Sequence, residues 1–107
     1  MRTWLLMFLL FGCGPIHRSD ELDVSRLPPE IREDYALFAH RCSKCHSLSR
    51  PLTSGIDDDE YWKRYVERMR RQPGSGISPD DEPGILRFLH YYSEQQKQKK
   101  HVASRSP

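Results

Sequence analysis

Phe38-Ala39-His40-Arg41-Cys42-Ser43-Lys44-Cys45-His46 ends in C-x-x-C-H, and the reading of those nine residues decides the fold. The pattern is the attachment signature of a c-type haem. Its spacing has a mechanical reason. Two cysteines three apart at the end of a helix can reach the two vinyl groups on one edge of a porphyrin. The next residue, His46, then projects its imidazole at the iron from the same side. Thioether bonds of this kind require reduced cysteines and an exported chain.

Two other chemistries share the C-x-x-C core. A thioredoxin-like redox pair is expected beside a βαβ pattern, and no segment shows strand alternation. A structural zinc site usually draws on a second, separated ligand pair. His40 and His46 with the two cysteines could give four ligands, crowded into seven residues. A haem-free zinc or thiol module stays open as the lesser reading.

Upstream of the motif, Pro28-Pro29-Glu30 is a helix start: proline suits the first turn and an acid suits the positive end of the helix dipole. Ile31, Tyr35, Phe38, Ala39 and Cys42 recur at helical spacing, which predicts a helix from about Pro29 to about Arg41 running straight into the motif. Ser43 to Ile56 holds Ser, Pro, Thr and Gly and reads as loop. Asp57-Asp58-Asp59-Glu60 opens a second helix. Trp62, Tyr65, Val66 and Met69 fall at i, i+3, i+4 and i+7, one face, and Gln72-Pro73-Gly74-Ser75-Gly76 ends it. Ser78-Pro79-Asp80-Asp81 starts a third, with Pro83 delaying its regular part to about Asp81. Ile85, Phe88, Leu89 and Tyr92 line one face of it. Phe38 and Phe88 or Tyr92 are candidates for a helix crossing. The fold class is therefore all-α, with about three helices.

The chain has 107 residues, of which 36% are hydrophobic and 30% charged, so a domain built from it is short of apolar material. Domains this small often need a covalent or metal staple, and a haem would be one. The 17 basic and 15 acidic side chains nearly balance, and no Lys/Arg stripe is interleaved with aromatics, so nucleic acid is not an expected partner.

Residues 1–12 read as a signal peptide. Met1-Arg2 is a short positive start, and the apolar run Thr3 to Phe11 is too short to span a bilayer. Leu10-Phe11-Gly12-Cys13 resembles the lipobox of bacterial lipoproteins, with Phe11 where a small residue is usual. The expectation is lipidation at Cys13. Residues 13–27 then form the lipidated N-terminus and a flexible tether, 28–94 the folded domain, and 95–107 a polar disordered tail.

From about Glu30 to Tyr92 the chain resembles the monohaem cytochrome c family in its compact bacterial, class I-like form. The resemblance rests on Cys42-Ser43-Lys44-Cys45-His46, on the tryptophan helix carrying Arg68-Met69, and on Gly76-Ile77-Ser78 leading into Ile85-Leu86-Arg87-Phe88-Leu89. It implies one covalent haem c on Cys42 and Cys45, with His46 as an axial iron ligand. It also implies an electron carrier, not an enzyme, that exchanges electrons with redox protein partners and takes no small-molecule substrate. A lipid-anchored site on the periplasmic side of a bacterial membrane follows, with the outer membrane weakly favoured by Gly14.

In such relatives a methionine on the tryptophan helix or just after it is the second axial ligand. Met69, the only methionine outside the signal segment, stands there, though only 22 residues separate it from His46. A thioether ligand favours reduced iron and raises the potential. His90 is the runner-up, and an open iron, suited to peroxide chemistry or gas sensing, is the third case. Arg50 and the Trp62 N–H are candidates for pairing with a haem propionate. The carbonyl of Pro51 or of a neighbour is a candidate acceptor for the His46 Nδ1 proton.

Overall fold

The computed structural model describes residues 22–106, and all regular structure in them is helical. Residues 1–21, including Cys13 and the expected signal peptide, lie outside the described residues. The segment read as a tether ends in packed structure. Val24–Arg26 form a 3-10 turn capped by the Asp23 carboxylate, and Leu27 is buried. The Arg32 guanidinium donates to the carbonyl oxygens of Leu27 and Ser25 at 3.0 and 3.3 Å and holds the turn down. Two leucines, Leu22 and Leu27, are too few to give a period but enough to seat the segment on the core.

Helix α1, Pro29–Cys42, begins with proline in its first turn and ends on the first motif cysteine. The stretch from Ser43 to Ile56, expected to be loop throughout, contains one helical turn, α2, Ser49–Leu52. Pro51 fits there because the first turn of a helix has no use for its missing N–H. Both Pro51 and Leu52 are buried, so packing holds a turn that local composition does not announce. Helix α3, Asp59–Arg70, is capped by Asp58, whose Oδ1 accepts from the Glu60 N–H at 2.8 Å. It buries Trp62 and Val66.

Ser78 and Asp81 exchange bonds before the last helix. The Ser78 N–H donates to Asp81 Oδ2 at 2.9 Å, and the Asp81 N–H donates to Ser78 Oγ at 3.2 Å, a capping box with aspartate in the third position. Helix α4 then runs Glu82–Arg105, with Pro83 harmless in its first turn.

Helix α4 packs on both α1 and α3. The expected crossing of Phe38 with Phe88 is present: their rings lie 4.8 Å apart, and Tyr35 meets Phe88 edge-on at 5.2 Å. Side chains of α1 pack directly onto the Gly84 backbone. A Cβ there would stand 2.9 Å from Leu37 Cδ2 and 3.0 Å from Asp34 Oδ1. Arg87 clamps the same crossing through a two-bond pair with the buried Asp34 carboxylate, at 2.7 and 2.9 Å. The Tyr92 hydroxyl donates to the Leu52 carbonyl at 2.8 Å and ties α2 to α4.

Residues 95–105, expected to be a disordered tail, continue α4 as exposed helix. They have no apolar period, which is why the sequence suggests an irregular end. They are also rich in Gln and Lys, good helix formers, and they extend a helix already nucleated by packing, so the costly first turn is avoided. The Glu94–Lys97 pair at 2.8 Å adds a local contact.

Candidate functional site

The end of α1, the loop after it, one face of α3 and the glycine-rich loop before α4 enclose a cavity of about 600 Å³. That is within the range of small-molecule and cofactor sites, roughly 300–1,000 Å³. Cys42, Cys45, His46 and Met69 all line it. Helix α1 places Cys42 at its last residue, and the turn that follows brings Cys45 and His46 round to the same space. Met69 enters from α3, next to the Trp62–Val66 stripe that anchors that helix in the core. Both motif cysteines are free thiols.

The loop from 71 to 78 forms another wall through Gln72, Pro73, Ser75 and Ile77. It turns back on itself because Gly74 and Gly76 adopt left-handed backbone, with φ of 75° and 67°. Lys44, between the two cysteines, lays its ammonium over Gly76, where a Cβ would meet Nζ at 2.7 Å. The motif loop and the glycine loop thus close on each other at one side of the cavity.

Burial pushes the Cys42 thiol up to about 11, and burial likewise raises Tyr65, which also lines the cavity. Cys45 is exposed. His46 Nδ1 stands 3.2 Å from the Ser47 carbonyl oxygen. The tautomer with a proton on Nδ1 donates to that oxygen and leaves the Nε2 lone pair free for a metal. The acceptor is therefore Ser47, while the Pro51 carbonyl accepts from the Ser54 hydroxyl at 2.7 Å.

Arg41, Arg50 and Arg68 contribute guanidinium groups to the lining. Arg41 pairs with Asp81 at 2.9 Å, and Arg68 stacks over the Tyr65 ring at 5.7 Å. The walls between them are supplied by Ile56, Tyr61, Tyr65 and Ile77. Two free thiols, an imidazole and a thioether around one space, with cations among its walls, fit a flat apolar macrocycle that carries iron and carboxylates.

Two candidates lie elsewhere. The Trp62 indole N–H is spent in the core, donating to Ser93 Oγ at 2.8 Å, so it does not serve a cavity ligand. His90 sits on the far side of α3, with Nδ1 at 2.9 and 3.0 Å from the Asp59 carboxylate oxygens, and does not line the cavity. Among the described residues no group of three or more His, Cys, Asp or Glu side chains is placed to hold a metal ion.

Sequence reasoning missed Arg41, Tyr61, Tyr65 and Gln72 as lining residues. A signal for three of them was present: Tyr61, Tyr65 and Gln72 share with Met69 a stripe at i, i+4, i+8 and i+11, adjacent to the core stripe. Among the described residues no helix is long and apolar enough to cross a membrane. Compared with protein-family models, with curated proteins and with solved structures, the chain matches none.

Proposed function

We propose that this chain is an electron-transfer protein that holds one covalent c-type haem through Cys42 and Cys45, with His46 and Met69 as the two axial iron ligands. The observation that carries the reading is the single cavity lined by all four side chains. In forming the thioethers, each thiol adds across one vinyl group. A C–S bond forms, the C=C bond is lost and the S–H hydrogen goes to the outer vinyl carbon, so no oxidant or reductant is consumed.

Bound haem supplies a one-electron Fe(III)/Fe(II) couple. The remaining work belongs to the chain. The Ser47 carbonyl orients His46. Met69 offers a soft sulfur, which favours the reduced state. Arg50 and Arg68 are available to neutralise the ligand's carboxylates, while Arg41 is engaged by Asp81, and the aromatic and aliphatic walls exclude water. No small-molecule substrate is required, and the partners are redox proteins. Lipidation at Cys13 would confine the carrier to the periplasmic side of a bacterial membrane and raise its effective concentration near membrane-bound partners.

The test is a haem-stained denaturing gel of protein matured with the haem-attachment machinery, together with oxidised and reduced visible spectra. Covalent haem on the wild type, and none on Cys42→Ala/Cys45→Ala, is the expected result. Loss of the iron–thioether charge-transfer band in Met69→Ala identifies the sixth ligand. A colourless wild-type protein sinks the haem assignment. Fast carbon monoxide binding to the native reduced protein replaces the electron carrier with a haem enzyme or gas sensor.

A further inference from the structure

Charge is divided unevenly along the described chain. Residues 22–94 hold eleven basic and thirteen acidic side chains, whereas residues 95–106 hold Lys97, Lys99, Lys100 and Arg105 and no acid. The cationic stretch is the exposed continuation of α4, with Lys100 still bordering the 52–57 segment and the residues after it running beyond the domain. Gln96 is the last half-buried residue of α4, and from Lys97 onward every described residue is exposed. At 1.5 Å per residue, the exposed part extends about 13 Å. Lys97, Lys100, His101 and Arg105 fall at i, i+3, i+4 and i+8, on one side of it. Lys97 is engaged by Glu94, but Lys99, Lys100 and Arg105 make no ion pair with any described residue.

We propose that the projecting end of α4 is a docking element for an anionic phospholipid surface. The composition separates this occupant from an acidic protein. Protein interfaces favour Tyr, Trp, Arg and buried anchors and are poor in Lys. This stretch has three lysines to one arginine, several glutamines and a single large exposed apolar side chain, Val102. Lysine acts as a hydrated point charge with no fixed fork to match. A headgroup layer asks for charge density and no particular geometry, and each basic residue near such a surface contributes about 1 kcal/mol, or roughly fivefold in partition. The proposal does not depend on haem, and it concerns a different part of the molecule from the cavity.

Its test is partition of the full chain onto vesicles of phosphatidylcholine alone and of phosphatidylcholine with phosphatidylglycerol, for wild type and for Lys99→Gln/Lys100→Gln/Arg105→Gln. An apolar or acylated N-terminus would add equally to both proteins, so the ratio of anionic to neutral partition reads the tail. The wild type should show a strong anionic preference that weakens as salt shortens the screening length. The triple variant should lose roughly a hundredfold of it, at fivefold per charge. An equal ratio in both proteins, or no anionic preference in the wild type, overturns the proposal. So does preferential binding to polyglutamate with none to phosphatidylglycerol, which would assign the element to an acidic protein.

Discussion

The Trp62 indole N–H donates to the Ser93 hydroxyl at 2.8 Å inside the α3–α4 contact, where Trp62 is 1% and Ser93 0% exposed. The Ser93 oxygen also faces the Ile56 carbonyl at 3.4 Å. One hydroxyl thereby satisfies the only polar atom of the largest core side chain. Ser93→Ala leaves that N–H buried and unpaired, a loss of about 1–3 kcal/mol. Urea unfolding should show it as a lower midpoint at unchanged slope. In a Trp62→Phe background the same Ser93 change should cost less, because no donor remains to be stranded.

Gly84 permits the α1–α4 approach, and alanine there should destabilise the fold. The added methyl would lie 2.9 Å from Leu37 Cδ2 and 3.0 Å from the Asp34 carboxylate. The terminal methyl of the half-buried Leu37 can give way, but Asp34 is fixed by Arg87 and cannot do so without loosening that pair. Overpacking of this kind costs about 1–3 kcal/mol, against a helix-propensity gain of at most about 1 kcal/mol. Thermal unfolding of Gly84→Ala should therefore show a lower midpoint. A raised midpoint would mean that the two helices separate freely.

These two contacts mark how far the sequence could be read. Helical spacing exposed the Phe38–Phe88 crossing and the Trp62–Val66 face, because an apolar period reports which side of a helix is buried. It could not pair Trp62 with Ser93, since a serine 31 residues away carries no local mark of its partner. The turn at Ser49–Leu52 was hidden because a four-residue helix contains no period, and Leu52 gains its burial from α4. Of the cavity, the motif residues and Met69 were legible from chemistry. Tyr61 and Tyr65 carried a signal in their helical spacing with Met69 that went unused, whereas Arg41 carried none, since its place depends on how α3 and the end of α1 face each other.

Asp81 should make the fold acid-sensitive. The Ser78 backbone N–H holds its carboxyl below the ordinary value, aided by the Ser78 hydroxyl and Arg41 and opposed by burial. A depressed folded value contributes stability that is fully present above about pH 3.9 and is lost as pH falls through the folded value. Thermal midpoints of the wild type should drop along that acid limb. Asp81→Asn should start lower at neutral pH and fall less steeply, and parallel curves would exclude Asp81 as a contributor.

The two motif thiols should react at different rates in the haem-free protein. Cys45 is exposed, while burial holds Cys42 at about 11 against an ordinary 9.0. Two units mean roughly a hundredfold less thiolate at mildly alkaline pH. The more basic thiolate is intrinsically more nucleophilic, by roughly six- to tenfold for a Brønsted slope of about 0.4–0.5. The net expectation is alkylation of Cys42 by iodoacetamide at least about tenfold slower than of Cys45, read by peptide mapping over time. Equal rates would mean that the end of α1 opens faster than the reagent attacks, and Cys42 would then be accessible without unfolding. If, as proposed, both sulfurs enter thioether bonds, neither should then react, so complete protection of haem-loaded protein, with the slow and fast phases both lost, would support a covalent cavity ligand over a thiol redox cycle.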